Sequence, residues 1–376
     1  MTAEPKKSNF NAPLNGYRGF CALTVFLYHV ANSGVIALEE QGRAASFALS
    51  STRYGVELFF MISGFVISGS LMRHATLSAF LRDRFVRIYS AWAPAIVVVS
   101  VVCSSLGLKM FENVSAARAF GLFAANLLLL PPLVPVTLVI AASWSLTYEW
   151  VFYIAAAAGS VLLRRQSQTR WPLVVWGLSI ALFIALFPRA LFFLPGVWVF
   201  ARAAWFERHR QWLRLPWLSL AIFFVAWRLT DADKAELTVT MFDWAYDGRL
   251  LAAMVAFVAA THTFASITVR ATSSFAFLES QAFQFLGKIS FSFYLWHALV
   301  VSAVKRAVAV LIVPHLPPQM SQTVSVVAVL VGALAVSIPV AWASWLMFEN
   351  RLAKVMRGVI SPAPRVSQEL SRSRPV

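Results

Sequence analysis

Apolar residues in this chain come in long unbroken runs, not in alternation with polar ones. Runs of about 18 or more residues recur between residues 14 and 347, and each is long enough to cross a bilayer as a helix. The short alternating segments of a membrane β-barrel are absent. Polar clusters divide the runs into ten expected crossings, at 14–34, 54–72, 88–107, 144–163, 173–188, 190–205, 214–229, 249–266, 289–312 and 324–347. The fold class expected is an all-α polytopic membrane protein with about ten transmembrane helices. One further apolar stretch, RAFGLFAANLLLLPPLVPVTLVIAA at 118–142, contains Pro131, Pro132 and Pro135, which break a helix. It is expected as a membrane-embedded or re-entrant segment on the outer side. Such irregular backbone is tolerated only against protein or a wet cavity.

Charge gives the orientation. The chain has 32 Lys+Arg against 16 Asp+Glu, a net charge of +16, yet only 13% of its 376 residues are charged and 59% are hydrophobic. In a soluble protein such a balance would suggest nucleic acid. Here it reads as basic loops held on the cytoplasmic side, and no nucleic-acid partner is expected. With the N-terminus inside, the basic clusters at 6–7, 82–87, 164–170, 208–214 and from 351 onward all fall inside, and acidic Glu39, Glu40, Glu112, Asp243 and Asp247 fall outside. A crossing at 118–142 would send the RRQSQTR loop outward against that rule. Both termini are therefore expected on the cytoplasmic side. The expected division is a segment at 1–13, one membrane domain at 14–350, and a basic, disordered tail at 351–376. The first span carries Arg18 and reads as retained, not as a cleaved signal peptide. Cys21 and Cys103 both lie in spans, so no disulfide framework is expected. No Cys/His cluster suggests a metal.

Ionisable residues inside spans are costly and mark function. Arg18 and His29 are eleven residues apart on the first span, which is three helical turns and a rise of about 16 Å. They therefore share a face, with the cation near the cytoplasm and the imidazole deeper. Alone, Arg18 could reach the headgroups and His29 could bond a carbonyl; together they make a functional helix the better reading. Glu57 opens the second span within reach of Arg53, and Ser63-Gly64 permits close helix packing. Arg84 and Arg87 are three apart beside Arg82, and guanidinium pairs grip phosphate. Glu149 sits in SWSLTYEWVFY among Trp144, Tyr148, Trp150 and Tyr153, an aromatic and acidic set that suits a sugar ring. His297 follows Trp296 in GKISFSFYLWHALV, eight residues into the ninth expected span.

Five stretches, LNGYRGFCALTVFLYH, YGVELFFMISGFVIS, RFVRIYSAW, SWSLTYEWVFY and GKISFSFYLWH, resemble in that order the acyltransferase-3 family of bacterial integral-membrane O-acyltransferases. The resemblance extends from Leu14 to about Arg351. It implies transfer of an acyl group, usually acetyl, from cytosolic acyl-CoA to a hydroxyl of a glycan or small molecule, often at the outer side. The family's Arg-x10-His motif falls on Arg18 and His29, its Arg-x-x-Arg motif, associated with CoA, on Arg84 and Arg87, its glutamate on Glu149, and its Trp-His pair on Trp296 and His297. Three departures from the family pattern stand out: Asn15 replaces an aspartate, Tyr17 a leucine and Glu57 another aspartate. A C-terminal esterase-like domain, carried by many relatives, is not expected from this sequence, so a separate periplasmic partner is an open expectation.

The expected assignments follow. His29 is the general base, with Glu149 or His297 orienting it. Arg18, Arg84 and Arg87 bind acyl-CoA, with acetyl-CoA the default donor. Glu57, Trp144, Tyr148 and Trp296 face the acceptor, a glycan or glycolipid. No metal is expected. The principal alternative is a transporter or flippase of a lipid-linked glycan, which would share the polar spans but would not need a one-sided arginine cluster.

Overall fold

The computed structural model describes residues 11–35, 42–105, 111–112, 114–164, 169–230 and 240–360. Lys6, Lys7, Glu39, Glu40, Arg165, the stretch 231–239 and the tail 361–376, with its expected disorder, lie outside the described residues.

Every regular element among the described residues is helical. The first half contains α1 (Ala12–Val30), α2 (Arg43–Ser51), α3 (Gly55–Arg73), α4 (Leu77–Ser105), α5 (Ala116–Leu127) and α6 (Trp144–Arg164). Then follow α7 (Trp171–Leu186), α8 (Phe193–Ala201), α9 (Ala203–Arg208), α10 (Pro216–Arg228) and α11 (Met241–Tyr246). The last part contains α12 (Leu250–Thr268), α13 (Gln281–Leu311), α14 (Pro318–Ser344) and α15 (Ala353–Ile360). Each of the ten expected crossings holds one of these helices. Six helical stretches among the described residues are long and apolar enough to cross a membrane, or seven if the pair Trp171–Leu186 and Pro188–Ala201, bent by 119°, is one span. α10 is a shorter apolar helix. α1 has sufficient length at 19 residues; its Asn15, Arg18 and His29 set it apart from the apolar spans.

Two helices begin earlier than their hydropathy suggests. α4 starts at Leu77, not 88, and α13 at Gln281, not 289. The polar residues that look like loop are helical because they have partners inside the protein. Gln284 Nε2 donates to the carbonyls of Ala12 and Leu278 at 2.8 and 2.7 Å. Asn15 Nδ2 donates back to the Gln284 carbonyl and Oε1 at 2.9 and 3.1 Å. A carboxylate at position 15 could not donate either bond, so the asparagine suits this neighbour. The α1–α13 crossing is close: a Cβ on Gly287 would lie 1.9 Å from the Asn15 carbonyl oxygen. Gly64 serves α3 and α8 in the same way, 2.2 Å from the Phe193 carbonyl oxygen.

The 118–142 stretch is α5 followed by irregular chain. Buried Asn126 supports that chain by donating to the Leu122 and Thr137 carbonyls and accepting from Val139 N–H. Thr147 of α6 donates to the carbonyls of Leu129 and Pro131. Backbone groups that lipid could not satisfy are thus satisfied by protein. Beyond residue 351 the chain continues as α15. Arg357 Nε lies 3.5 Å from Asp83, and Arg82 Nη1 donates to the Ile360 carbonyl at 3.2 Å. Residues 353–360 are therefore folded against α4 and are not part of a loose tail.

Candidate active site

α1, α3, α4, α6 and α13 enclose a cavity of about 290 Å³. Arg18, Arg84, Arg87, Glu149, Ser63, Tyr153 and Tyr294 contribute its polar lining. Helical spacing explains the set: Ser145, Glu149 and Tyr153 recur every four residues on α6, and so share one face. Arg84 and Arg87 are three apart on α4. They lie seven and ten residues inside the helix, a depth of about 10 and 15 Å, because α4 starts early. Glu149 Oε1 accepts from Ser63 Oγ at 2.9 Å and from the Tyr153 hydroxyl. Arg18 experiences the charges of Arg87, Glu149 and Glu349. Arg84 is ion-paired to Asp83, and its buried Nε has no hydrogen-bond partner. The cavity thus combines three guanidinium groups with one carboxylate, and at least one buried donor is unused. That lining suits an anionic or strongly polar ligand.

The two histidines lie beyond this cavity. His29 and His297 have ring centroids 4.9 Å apart, edge to face. His297 is fully buried, and its Nδ1 is 3.1 Å from the Phe293 carbonyl oxygen. A carbonyl only accepts, so Nδ1 carries the proton, and in the neutral ring Nε2 is a bare acceptor. That Nε2 is buried with no partner. An unpaired buried lone pair beside a second imidazole is costly and suits a proton-handling pair. Tyr294 stands between the pair and the cavity: it lines the cavity, and its ring centroid is 5.9 Å from that of His297. Its hydroxyl donates to the Ala142 carbonyl at 2.9 Å and lies 2.9 Å from Ser145 Oγ. Arg18, Arg84, Arg87 and Glu149 are therefore brought together, and His29 is brought to His297. Glu149 bonds Ser63 and Tyr153, not His29.

Four expected residues sit elsewhere. Glu57 has no exposure and accepts from Arg189 Nε at 2.6 Å and from Trp227 Nε1 at 3.1 Å. Arg189 also lies over the Trp144 ring at 4.1 Å. Trp144 and Tyr148 pack on one another and on Phe60, and Tyr148 also meets Phe183 and Phe187; neither lines the cavity. Trp296 donates to Ser344 Oγ at 2.9 Å, and Ser344 is 3.0 Å from Ser292 Oγ. Ser292 in turn donates from its hydroxyl and backbone N–H to Glu349 at 2.6 and 3.0 Å. These contacts are packing and scaffolding. Sequence reading overlooked Glu349 and Arg189. Their partners lie 57 and 132 residues away, and no local pattern connects such distant positions. Among the described residues no group of three or more His, Cys, Asp or Glu could hold a metal ion.

A half-buried His29 against the buried His297, next to an arginine and carboxylate cavity, lies inside an all-helical body with six candidate spans among the described residues, as in a multi-pass membrane protein with a polar interior. The chain belongs to the acyltransferase-3 family: its family profile, described as an acyltransferase domain, matches residues 11–342. A curated relative, acyltransferase MdmB of Streptomyces mycarofaciens, is 30% identical over 156 residues, which is 40% of this chain; the chain spans 40% of that relative's length. No solved structure matches the chain.

Proposed function

We propose that the protein transfers an acyl group, acetyl by default, from cytosolic acyl-CoA to a hydroxyl of a glycan or glycolipid at the outer side of a bacterial inner membrane. The observation that carries this reading is the convergence of Arg18, Arg84 and Arg87 on one cavity, one wall away from the His29–His297 pair. CoA phosphates have no place in lipid, and three guanidinium groups give its pyrophosphate a protein counterpart. The donor's long arm then follows α1 from Arg18 toward His29, about 16 Å along the axis. His29 takes the proton of the acceptor hydroxyl. The hydroxyl oxygen bonds to the thioester carbonyl carbon, the carbon–sulfur bond breaks, and the proton passes to the departing thiolate. His297, packed edge to face on His29 with ring centroids 4.9 Å apart, limits the orientations open to the His29 ring. Glu149, tied to Ser63 and Tyr153, offsets the charge of Arg18.

On this reading the ten helices at the expected positions all belong to the membrane body, with both termini cytoplasmic. Glycan flipping without chemistry, the rival class, leaves the buried orphan Nε2 of His297 and the unused Arg84 donor without a purpose. The two separate on one assay, CoA release from acetyl-CoA by purified protein, with and without a glycan extract from cell membranes. Acyl transfer requires release that depends on the extract. No release under any condition would return the chain to the transport reading.

A further inference from the structure

A second space adjoins the first. A vestibule of about 970 Å³ is lined by Asn15, Arg18, Arg73, Glu207, Arg210 and Arg270, with apolar walls that include Phe65 and Phe200. Arg18, Ile62 and Val66 line both spaces, so the two meet at Arg18. The inner cavity, at about 290 Å³, lies at the bottom of the range that holds even a drug-sized ligand, roughly 300–1,000 Å³. A CoA thioester is larger than such a ligand. Whatever enters the inner cavity arm-first leaves its nucleotide end in the vestibule.

The vestibule is prepared for an anion. Four arginines line it against one glutamate. Arg73 does not extend away from α3: its Nη1 is folded back to 3.1 Å from where a Cβ on Gly69 would stand. No carboxylate partner of Arg73 occurs among the described residues. Arg270 follows the end of α12 with φ of +50°, in the left-handed region. Its N–H points to the Ile267 carbonyl and that of Ala271 to the Ser266 carbonyl, the helix-ending arrangement that normally uses glycine. An arginine is kept where the backbone favours glycine, and its side chain lines the vestibule. Arg210 and Arg270 are each near a glutamate, at 3.7 and 3.0 Å, but both pairs are exposed and exchangeable for a ligand.

We infer that Arg73, Arg210 and Arg270 form a subsite for the phosphorylated ribose end of the donor, its 3′-phosphate above all, with the adenine against Phe200. The inference rests on the acyl-CoA reading above and extends it to residues outside the family motifs. It makes the enzyme selective for CoA thioesters over donors that share the arm and the pyrophosphate but lack the 3′-phosphate.

The test compares acetyl-CoA with acetyl-3′-dephospho-CoA, measuring extract-dependent CoA-thiol release by the full-length protein and by Arg73→Ala and Arg270→Gly. Glycine at 270 suits the left-handed backbone, so this variant removes the guanidinium without straining the fold. The wild type should show a KM for acetyl-CoA about tenfold below that for the dephospho donor, the scale of a charge-assisted hydrogen bond. Each variant should lose that preference, with the KM for acetyl-CoA rising to that of the dephospho donor and kcat unchanged. Equal KM values in the wild type, or variants that keep the wild-type preference, overturn the subsite while leaving acyl transfer intact. No thiol release from either donor overturns the acyl-CoA reading itself, and the subsite with it.

Discussion

Glu57 has lost all contact with solvent, and Arg189 is what makes that tolerable. A single buried charge is expensive; a paired one with a further donor, here Trp227, is sustained. Glu57→Gln should leave the Arg189 cation unpaired and cost about 3–5 kcal/mol, the scale of a broken buried pair. The expected readout is a lower melting temperature in detergent, with activity per folded molecule preserved. Activity lost at unchanged stability would give Glu57 a direct role in substrate handling. The residues that face the cavity predict the opposite pattern. Arg84→Lys or Arg87→Lys should leave stability intact and weaken acetyl-CoA binding about tenfold, because a point charge loses the fork of a guanidinium. Unchanged affinity by titration in both variants would reduce the pair to topological charge. Arg18 and Glu149 were legible in sequence because they violate the hydropathy of their own spans, and lipid does not tolerate such residues without cause; Arg84 and Arg87 were legible as a guanidinium pair three residues apart at a span's basic margin. Arg189 was not legible, since it follows Pro188 at a break between apolar helices and looks like an ordinary loop residue.

At the scale of elements, the arrangement depends on α1 and α13 lying close enough for His29 and His297 to touch. Gly287 permits that approach, with the Asn15 carbonyl oxygen 1.9 Å from any added Cβ. Gly287→Val should separate the two helices and lower the yield of folded protein; a monodisperse, active variant would mean the crossing is adaptable and does not set the site. The positions of these helices were legible from hydropathy, but their starts were not. Hydropathy treats Arg82, Asp83, Arg84, Gln281 and Gln284 as the polar margin of a membrane. In the fold all five are helical: Arg82 and Asp83 meet α15, Arg84 lines the cavity, Gln284 bonds the start of α1, and Gln281 is exposed. The same logic hid α15. Basic residues around Arg357 resemble a solvated tail, and only the approach of Asp83 at 3.5 Å shows what they pack on.

For the molecule as a whole, the account requires a donor entering from one side and an acceptor from the other. On the proposed topology the loop between α3 and α4 lies inside and the end of α11 outside. In a variant lacking Cys21 and Cys103, Ala75→Cys and Tyr246→Cys, the latter replacing a side chain 93% exposed, should react with impermeant thiol reagents from opposite sides of the membrane. Labelling of both from one side would invert or abolish the proposed topology. The family, the all-helical body and the His29–His297 pair all bear on one claim, that His29 drives acyl transfer from a CoA thioester. The most direct measurement follows a radiolabelled acetyl group from acetyl-CoA into glycan and glycolipid fractions of membranes from cells lacking the gene, after adding purified wild-type protein or His29→Ala. The account predicts label in a glycan or glycolipid fraction with the wild type. With the variant, at matched folding and membrane insertion, it predicts incorporation lower by at least about 100-fold, the lower end of what positioned proton transfer contributes. Label that enters equally with both proteins, or with neither, would contradict it.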